Sequence, residues 1–166
     1  MNISRYINES AVRLEMVTNL LPLEEGQSVE KWREQCKALI LLELVDILDE
    51  NAHVGNRNKL LLDFTNREKQ SSTAIGHGIA LPHIRSKHSK EFMIGFARSI
   101  NGYDFDAPDG EPVHLFFVMA APPYDDSLYL KVFKSLAEML QYESFREELM
   151  SVSSPGEVIR AIKLME

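Results

Sequence analysis

The apolar positions along the chain change period several times, and each change predicts an element. The opening stretch Ile3 to Ile7 reads as a short helix or lead-in. Over 11–17 the apolar residues Val12, Leu14 and Met16 alternate with polar ones, the period of a half-buried strand. Pro22, the Glu24–Glu25 pair and Gly26 then make Leu20 to Gln27 a loop. Ser28 is placed to cap a helix running to about Asn51, with Trp32, Ala38, Leu39, Leu42, Val45 and Leu48 along one face. Gly55 and Asn56 restart the chain into a second helix, about 57–69, whose Leu60, Leu61 and Phe64 face the core.

Strand signals dominate the next part. Residues 92–98 have strand composition, Asn101-Gly102 marks a turn and 103–105 follow as a short strand, so the segment predicts a hairpin. The continuous apolar run over 112–121 predicts a central strand covered on both faces. The remainder is helical: about 126–140, a short turn near 143–150, then a last helix. Ser154, Pro155 and Glu157 supply that helix with a cap, a first-turn proline and a capping box. Helices on both sides of a mixed sheet predict an α/β protein with three α/β/α layers, a single domain over 1–166.

Composition adds exclusions. Eighteen basic against twenty-five acidic residues give a formal charge of −7, which argues against nucleic acid or an anionic membrane as the main partner. A lone cysteine, Cys36, rules out an internal disulfide framework, and within the helix pattern it reads as a small core residue. With no secretory signal and no long apolar span, the expected location is the cytoplasm. The cluster Arg85, Lys87, His88 and Lys90 stands out in an acidic chain; it reads as a solvated loop or as an attraction for a phosphorylated partner.

The chemistry concentrates between Arg67 and His83, in the run R-E-K-Q-S-S-T-A-I-G-H-G-I-A-L-P-H. Pro82 restricts the backbone that leads into His83, so the imidazole is held in place. Gly76 and Gly78 permit positive φ or close backbone approach, as a loop converging its N–H groups on an anion requires. Arg67 offers a planar fork of donors, and Ser71, Ser72 and Thr73 offer hydroxyls to the same oxygens. A neutral imidazole is a competent nucleophile, and a pKa of about 6.5 leaves much of it neutral near pH 7. An anion beside a reactive histidine, hence phosphoryl transfer, is the reading these residues support. His77 could touch the same anion, whereas His114 reads as a structural histidine at a strand end. No ligand spacing supports a metal site.

That run closely resembles the active-site segment of enzyme IIA domains of the bacterial sugar phosphotransferase system, in the fructose/mannitol class that includes nitrogen-regulatory IIA proteins. The resemblance continues through E-P-V-H-L-F-F-V-M-A-A-P at 111–122, through Y-L-K-V-F-K-S-L-A-E-M-L and into the last helix. It implies that His83 accepts a phosphoryl group from the histidine phosphocarrier protein and passes it to a IIB component. It further implies that Arg67, Ser72 and Thr73 stabilise the phosphoryl oxygens and that Glu68 orients Arg67 or the imidazole. No cofactor or metal is implied, and any membrane association would be docking to a IIC complex.

Three departures stand against the family pattern. Leu20 to Gln27 looks like an insertion, and Ala74 stands where the family commonly has glycine. Tyr129 holds the place of a second histidine; it can donate to a phosphoryl oxygen but cannot carry positive charge. Beside the phosphocarrier reading stand two others, a regulatory module controlling a kinase, transporter or transcription factor, and an inactive relative kept for protein contacts.

Overall fold

The computed structural model describes residues 2–51, 53–125 and 127–166. Its sheet is built around two adjacent strands, β5 (Met93–Tyr103) and β6 (Val113–Ala121), which pair antiparallel. On the other side of β5 lies β1 (Ile7–Arg13), parallel to it. On the other side of β6 lie two short strands in succession, β3 (Ile79–Ala80) and β4 (His83–Arg85), both parallel to it, and β2 (Ala74–Gly76) folds back on β3. Among the described residues the sheet is therefore mixed, with six strands.

Burial along β6 explains its unbroken apolar sequence. Leu115, Phe117, Met119 and Ala121 enter one core with α3 (Leu128–Met139), α4 (Glu143–Ser151) and α5 (Pro155–Met165). Phe116, Val118 and Ala120 enter the other core, with α1 (Val29–Asp49) and α2 (Arg57–Gln70). A strand covered on both faces has no solvent side to mark with polar residues. The result is the expected three layers.

The helix starts follow the capping signals. Ser28 accepts from the N–H of Lys31, Asn56 from that of Lys59 and Ser154 from that of Glu157. The Glu157 carboxylate reaches back to the N–H of Ser153, one residue earlier than the expected box would place it. Along α1 the buried stripe runs through Ile40, Leu41, Leu44, Val45, Ile47 and Leu48, so it is rotated from the expected face, and Ala38, Leu39 and Leu42 are only half-buried. Trp32 lies at the edge of that stripe and donates its indole N–H to the carbonyl of Leu21, pinning the 20–27 loop to the helix.

Several expectations need correction. The first strand is Ile7–Arg13, earlier than the predicted 11–17, and its register with β5 shifts between Ile7 and Val12. The Asn101-Gly102 pair makes no hairpin turn; both residues lie inside β5, where the pairing with β6 is irregular between Arg98 and Tyr103. Gly102 takes φ +79° at this irregularity, packed against the ring of His114, whose Nδ1 lies 3.0 Å from the carbonyl of Ser99. His114 is thus structural, as expected. The segment 143–151 is a two-turn helix, and the predicted start of α3 at 126 falls outside the described residues.

A candidate phosphoryl-transfer site

The parallel pairing of β4 with β6 places His83 opposite Met119, and the N–H of Met119 donates to the carbonyl of Pro82 at 2.9 Å. The backbone entering the histidine is thus held by the proline and by the ladder together. The imidazole Nδ1 lies 2.6 Å from the carbonyl oxygen of Leu81. A carbonyl only accepts, so Nδ1 carries the proton and Nε2 keeps its lone pair. Burial pushes the His83 pKa below its ordinary value; the Leu81 carbonyl and Glu68 oppose that shift, and the Arg67 charge adds to it. The ring is therefore held neutral, in one tautomer, with Nε2 as its basic atom.

Two aromatic rings from α3 flank it. The Phe133 ring centroid lies 4.7 Å from that of His83, and the Tyr129 centroid lies 5.7 Å away. Tyr129 and Phe133 are four residues apart on one helix, so both fall on the same face. The start of the helix is fixed by Asp125, whose carboxylate accepts from the N–H of Tyr129. Arg85 lies over the Tyr129 ring, its guanidinium carbon 4.9 Å from the centroid. Burial raises the Tyr129 hydroxyl pKa, and the charges of Arg85 and Arg67 oppose that rise. Both arginines are therefore close enough to act on this corner of the site. A small apolar floor with two cations beside it suits a group carrying negative charge on several oxygens.

The structure thus places the Tyr129 ring beside His83, with the Arg67 charge acting on the imidazole. Arg67 also donates to the carbonyl of Ser71 at 2.9 Å, which draws the guanidinium over the loop after α2. The other three predicted residues are engaged inside the protein. Ser72 Oγ donates to the carbonyl of Phe105 at 3.0 Å and accepts from the N–H of Ala74. Thr73 donates both its N–H and its hydroxyl to the Glu68 carboxylate, at 2.9 and 2.7 Å. Glu68 is buried, and its third donor is the ammonium of Lys37, 3.0 Å away. Glu68 accordingly makes its hydrogen bonds to the loop, with the imidazole only within reach of its charge.

The glycine turn lies elsewhere. Gly76, His77 and Gly78 all have positive φ and form the tip between β2 and β3. Ile79 is level with Leu115 on β6 and His83 with Met119, so the tip is roughly 13 Å from the histidine along the strand. The anion it meets is the chain's own Asp109, which accepts from the N–H of His77 at 3.1 Å. His77 therefore does not join His83.

The sequence singled out Arg85 only as one of a basic cluster, and Phe133 not at all. Arg85 is two residues after His83 on a strand, hence on the same side, and that spacing was the available signal. Phe133 carried the matching signal of a residue four after Tyr129. Among the described residues no group of three or more His, Cys, Asp or Glu side chains is arranged to hold a metal ion.

Comparison with known proteins shows the family of the chain. Residues 28–165 match the family model described as phosphoenolpyruvate-dependent sugar phosphotransferase system, EIIA 2. The chain belongs to this family. Its function is that of a phosphocarrier of the phosphotransferase system. The fructose-specific EIIABC component of Bacillus subtilis is 34% identical over 126 residues, 76% of this chain and 20% of that protein, so the chain spans only a fifth of that relative. The nitrogen regulatory protein IIA-Ntr of Neisseria meningitidis superposes with a TM-score of 0.79 at 30% identity, covering 98% of this chain and 99% of that one. The mannitol enzyme IIA of Escherichia coli, solved in complex with phosphorylated enzyme IIB, shares the fold at 19% identity, with a TM-score of 0.67 and coverage of 93% and 94%.

Proposed function

We propose that Nε2 of His83 is the phosphoryl acceptor of this EIIA domain. The observation that carries the reading is the Nδ1 contact to the Leu81 carbonyl, because it leaves the outward nitrogen unprotonated. In the transfer, the Nε2 lone pair forms a bond to phosphorus as the P–N bond of the donor's phosphohistidine breaks. The donor ring recovers its electron pair. The proton on Nδ1 stays where it is, and the positive charge that develops on the ring strengthens its hydrogen bond to Leu81. Arg67 and Arg85 balance the phosphoryl charge, and the Tyr129 hydroxyl donates to one of its oxygens in the place of a second histidine. Little else is asked of the protein, since phosphoryl transfer depends mainly on positioning and charge neutralisation. Glu68, Ser72 and Thr73 serve the site by holding the loop that carries Arg67's anchor.

The donor in this reading is a histidine phosphocarrier protein and the recipient a IIB component, as in the mannitol IIA–IIB pair. None of the described helices is long and apolar enough to cross a membrane, which suits a cytoplasmic carrier that docks on a membrane IIC complex. A regulatory use of the same phosphorylation rests on the close match to the nitrogen regulatory protein.

The test is phosphotransfer from phosphoenolpyruvate through enzyme I and a histidine phosphocarrier protein, using both sugar-type and nitrogen-type pairs. Wild-type chain should be labelled in an acid-labile form, and His83→Ala should not. A folded wild type that takes no label from either pair overturns the acceptor reading.

A further inference from the structure

Lys37 is a lysine with 9% of its surface exposed, well outside the ring of residues that touches His83. A buried ammonium needs partners, and Lys37 has Glu68 at 3.0 Å and the more exposed Asp106 at 3.9 Å. The Glu68 carboxylate has three donors, the Lys37 ammonium and the two from Thr73, so it ties α1, α2 and the following loop at one point. From Thr73 onward the path to the histidine is all backbone. The carbonyl of Thr73 accepts from the N–H of Leu81 at 3.0 Å, and the carbonyl of Leu81 meets Nδ1 of His83 at 2.6 Å. Leu81 is fully buried.

A second strap converges on the same lysine. Its ammonium lies 4.9 Å from the centroid of the Phe105 ring, and the carbonyl of Phe105 holds the hydroxyl of Ser72 at 3.0 Å. Lys37 thus touches both residues to which Ser72 and Thr73 are tied. Without the ammonium, Glu68 loses its tie to α1 and keeps only the two donors of Thr73. The carboxylate is then no longer fixed between α1, α2 and the loop, and the two bonds to Thr73 lose their anchor.

From this convergence we infer that Lys37 is a positioning residue for the phosphoryl acceptor, setting the tautomer of His83 through Glu68, Thr73 and the Leu81 carbonyl. The inference rests on the reading of His83 as the acceptor. Its measurement, however, is independent of transfer.

The experiment compares the ring nitrogens of His83 by 15N NMR in the full wild-type chain and in Lys37→Met, at a pH above the titration of the ring. Wild type should show one tautomer, protonated at Nδ1. Lys37→Met should show a mixture of both, with phosphorylation slowed roughly tenfold, as expected when the groups that orient a reactive side chain are removed. Lys37→Arg, which keeps the cation, should restore the single tautomer. A folded Lys37→Met with unchanged ring nitrogens overturns the inference and leaves Lys37 as a strut between helices. Should Lys37→Met not fold, Thr73→Val removes one bond to Glu68 while keeping the ion pair and is judged by the same readout and the same outcomes. Failure of wild type to accept a phosphoryl group would instead sink the acceptor reading, with the tautomer comparison still standing.

Discussion

The Nδ1 atom of His83 lies 2.6 Å from the carbonyl oxygen of Leu81, two residues earlier in the chain. A histidine and a backbone group so near in sequence are brought face to face by the intervening Pro82. The contact fixes which nitrogen is basic, and burial lowers the pKa of the ring, favouring its neutral form.

That combination has a definite pH dependence. The folded-state pKa of His83 is below its ordinary 6.5, with burial as the main cause. The unfolded chain therefore binds this proton more readily than the folded chain. His83 costs the fold nothing above about pH 6.5, and the cost grows as pH falls from there through the lower folded value. An NMR titration of the ring should give a midpoint below that of an unstructured histidine, and wild type should lose stability relative to His83→Gln as pH drops below 6.5. A midpoint at or above the ordinary value would contradict the buried, neutral ring.

Tyr129 separates packing from chemistry. Tyr129→Phe keeps the ring beside His83 and under Arg85 but removes the hydroxyl. One hydrogen bond is worth about 0.5–1.5 kcal/mol, so phosphorylation should slow by roughly two- to tenfold while unfolding by denaturant stays within about 1 kcal/mol of wild type. An unchanged transfer rate would remove the hydroxyl from the mechanism.

Arg98 shows the other side of the same protein, a charge used for structure. Its guanidinium is buried and donates to the carbonyls of Leu14, Leu149, Met150 and Val152, closing the C-terminal end of α4 onto the sheet. Arg98→Met leaves those carbonyls without a donor in the interior. Urea unfolding should show a loss of about 3 kcal/mol, with the His83 ring signals of the folded fraction unchanged.

Gly102 should tolerate no side chain. Its φ is +79°, and a Cβ there would lie 2.7 Å from Cε1 of His114 and 2.8 Å from Cβ of Pro112. Gly102→Ala should lower stability by about 2 kcal/mol in thermal or denaturant unfolding, from backbone strain and the clash together. Phosphorylation of the remaining folded protein should be unaffected.

How far the sequence could be read depended on whether an element's pattern had one interpretation. The apolar run of β6 had one, a doubly covered strand, and the caps at Ser28, Asn56 and Ser154 marked three helix starts. β1 was harder because it has a single neighbouring strand and carries the exposed Asn8, Glu9 and Ser10, so its alternation is broken where the strand begins. Asn101-Gly102 has the composition of a turn, yet the chain uses the glycine for an irregularity inside β5. The sequence offered the histidine, Arg67 and Tyr129 as a candidate site, and the fold sets the Tyr129 ring beside His83. The glycine turn misled because only four residues separate Gly78 from His83 in sequence, while the strands between them run along β6 and carry the turn away. Lys37 left no local signal at all, since its meaning depends on α1 meeting the end of α2.

The surroundings of His83 pair an aromatic shelf with two cations, Arg67 and Arg85. A phosphoryl group on Nε2 would bring about two negative charges to that spot without requiring the shelf or the backbone beneath it to move. The loaded and empty forms would then present one contour with opposite electrical sign. A partner that distinguishes them reads voltage more than shape, and its discrimination should fade as salt shortens the reach of the field.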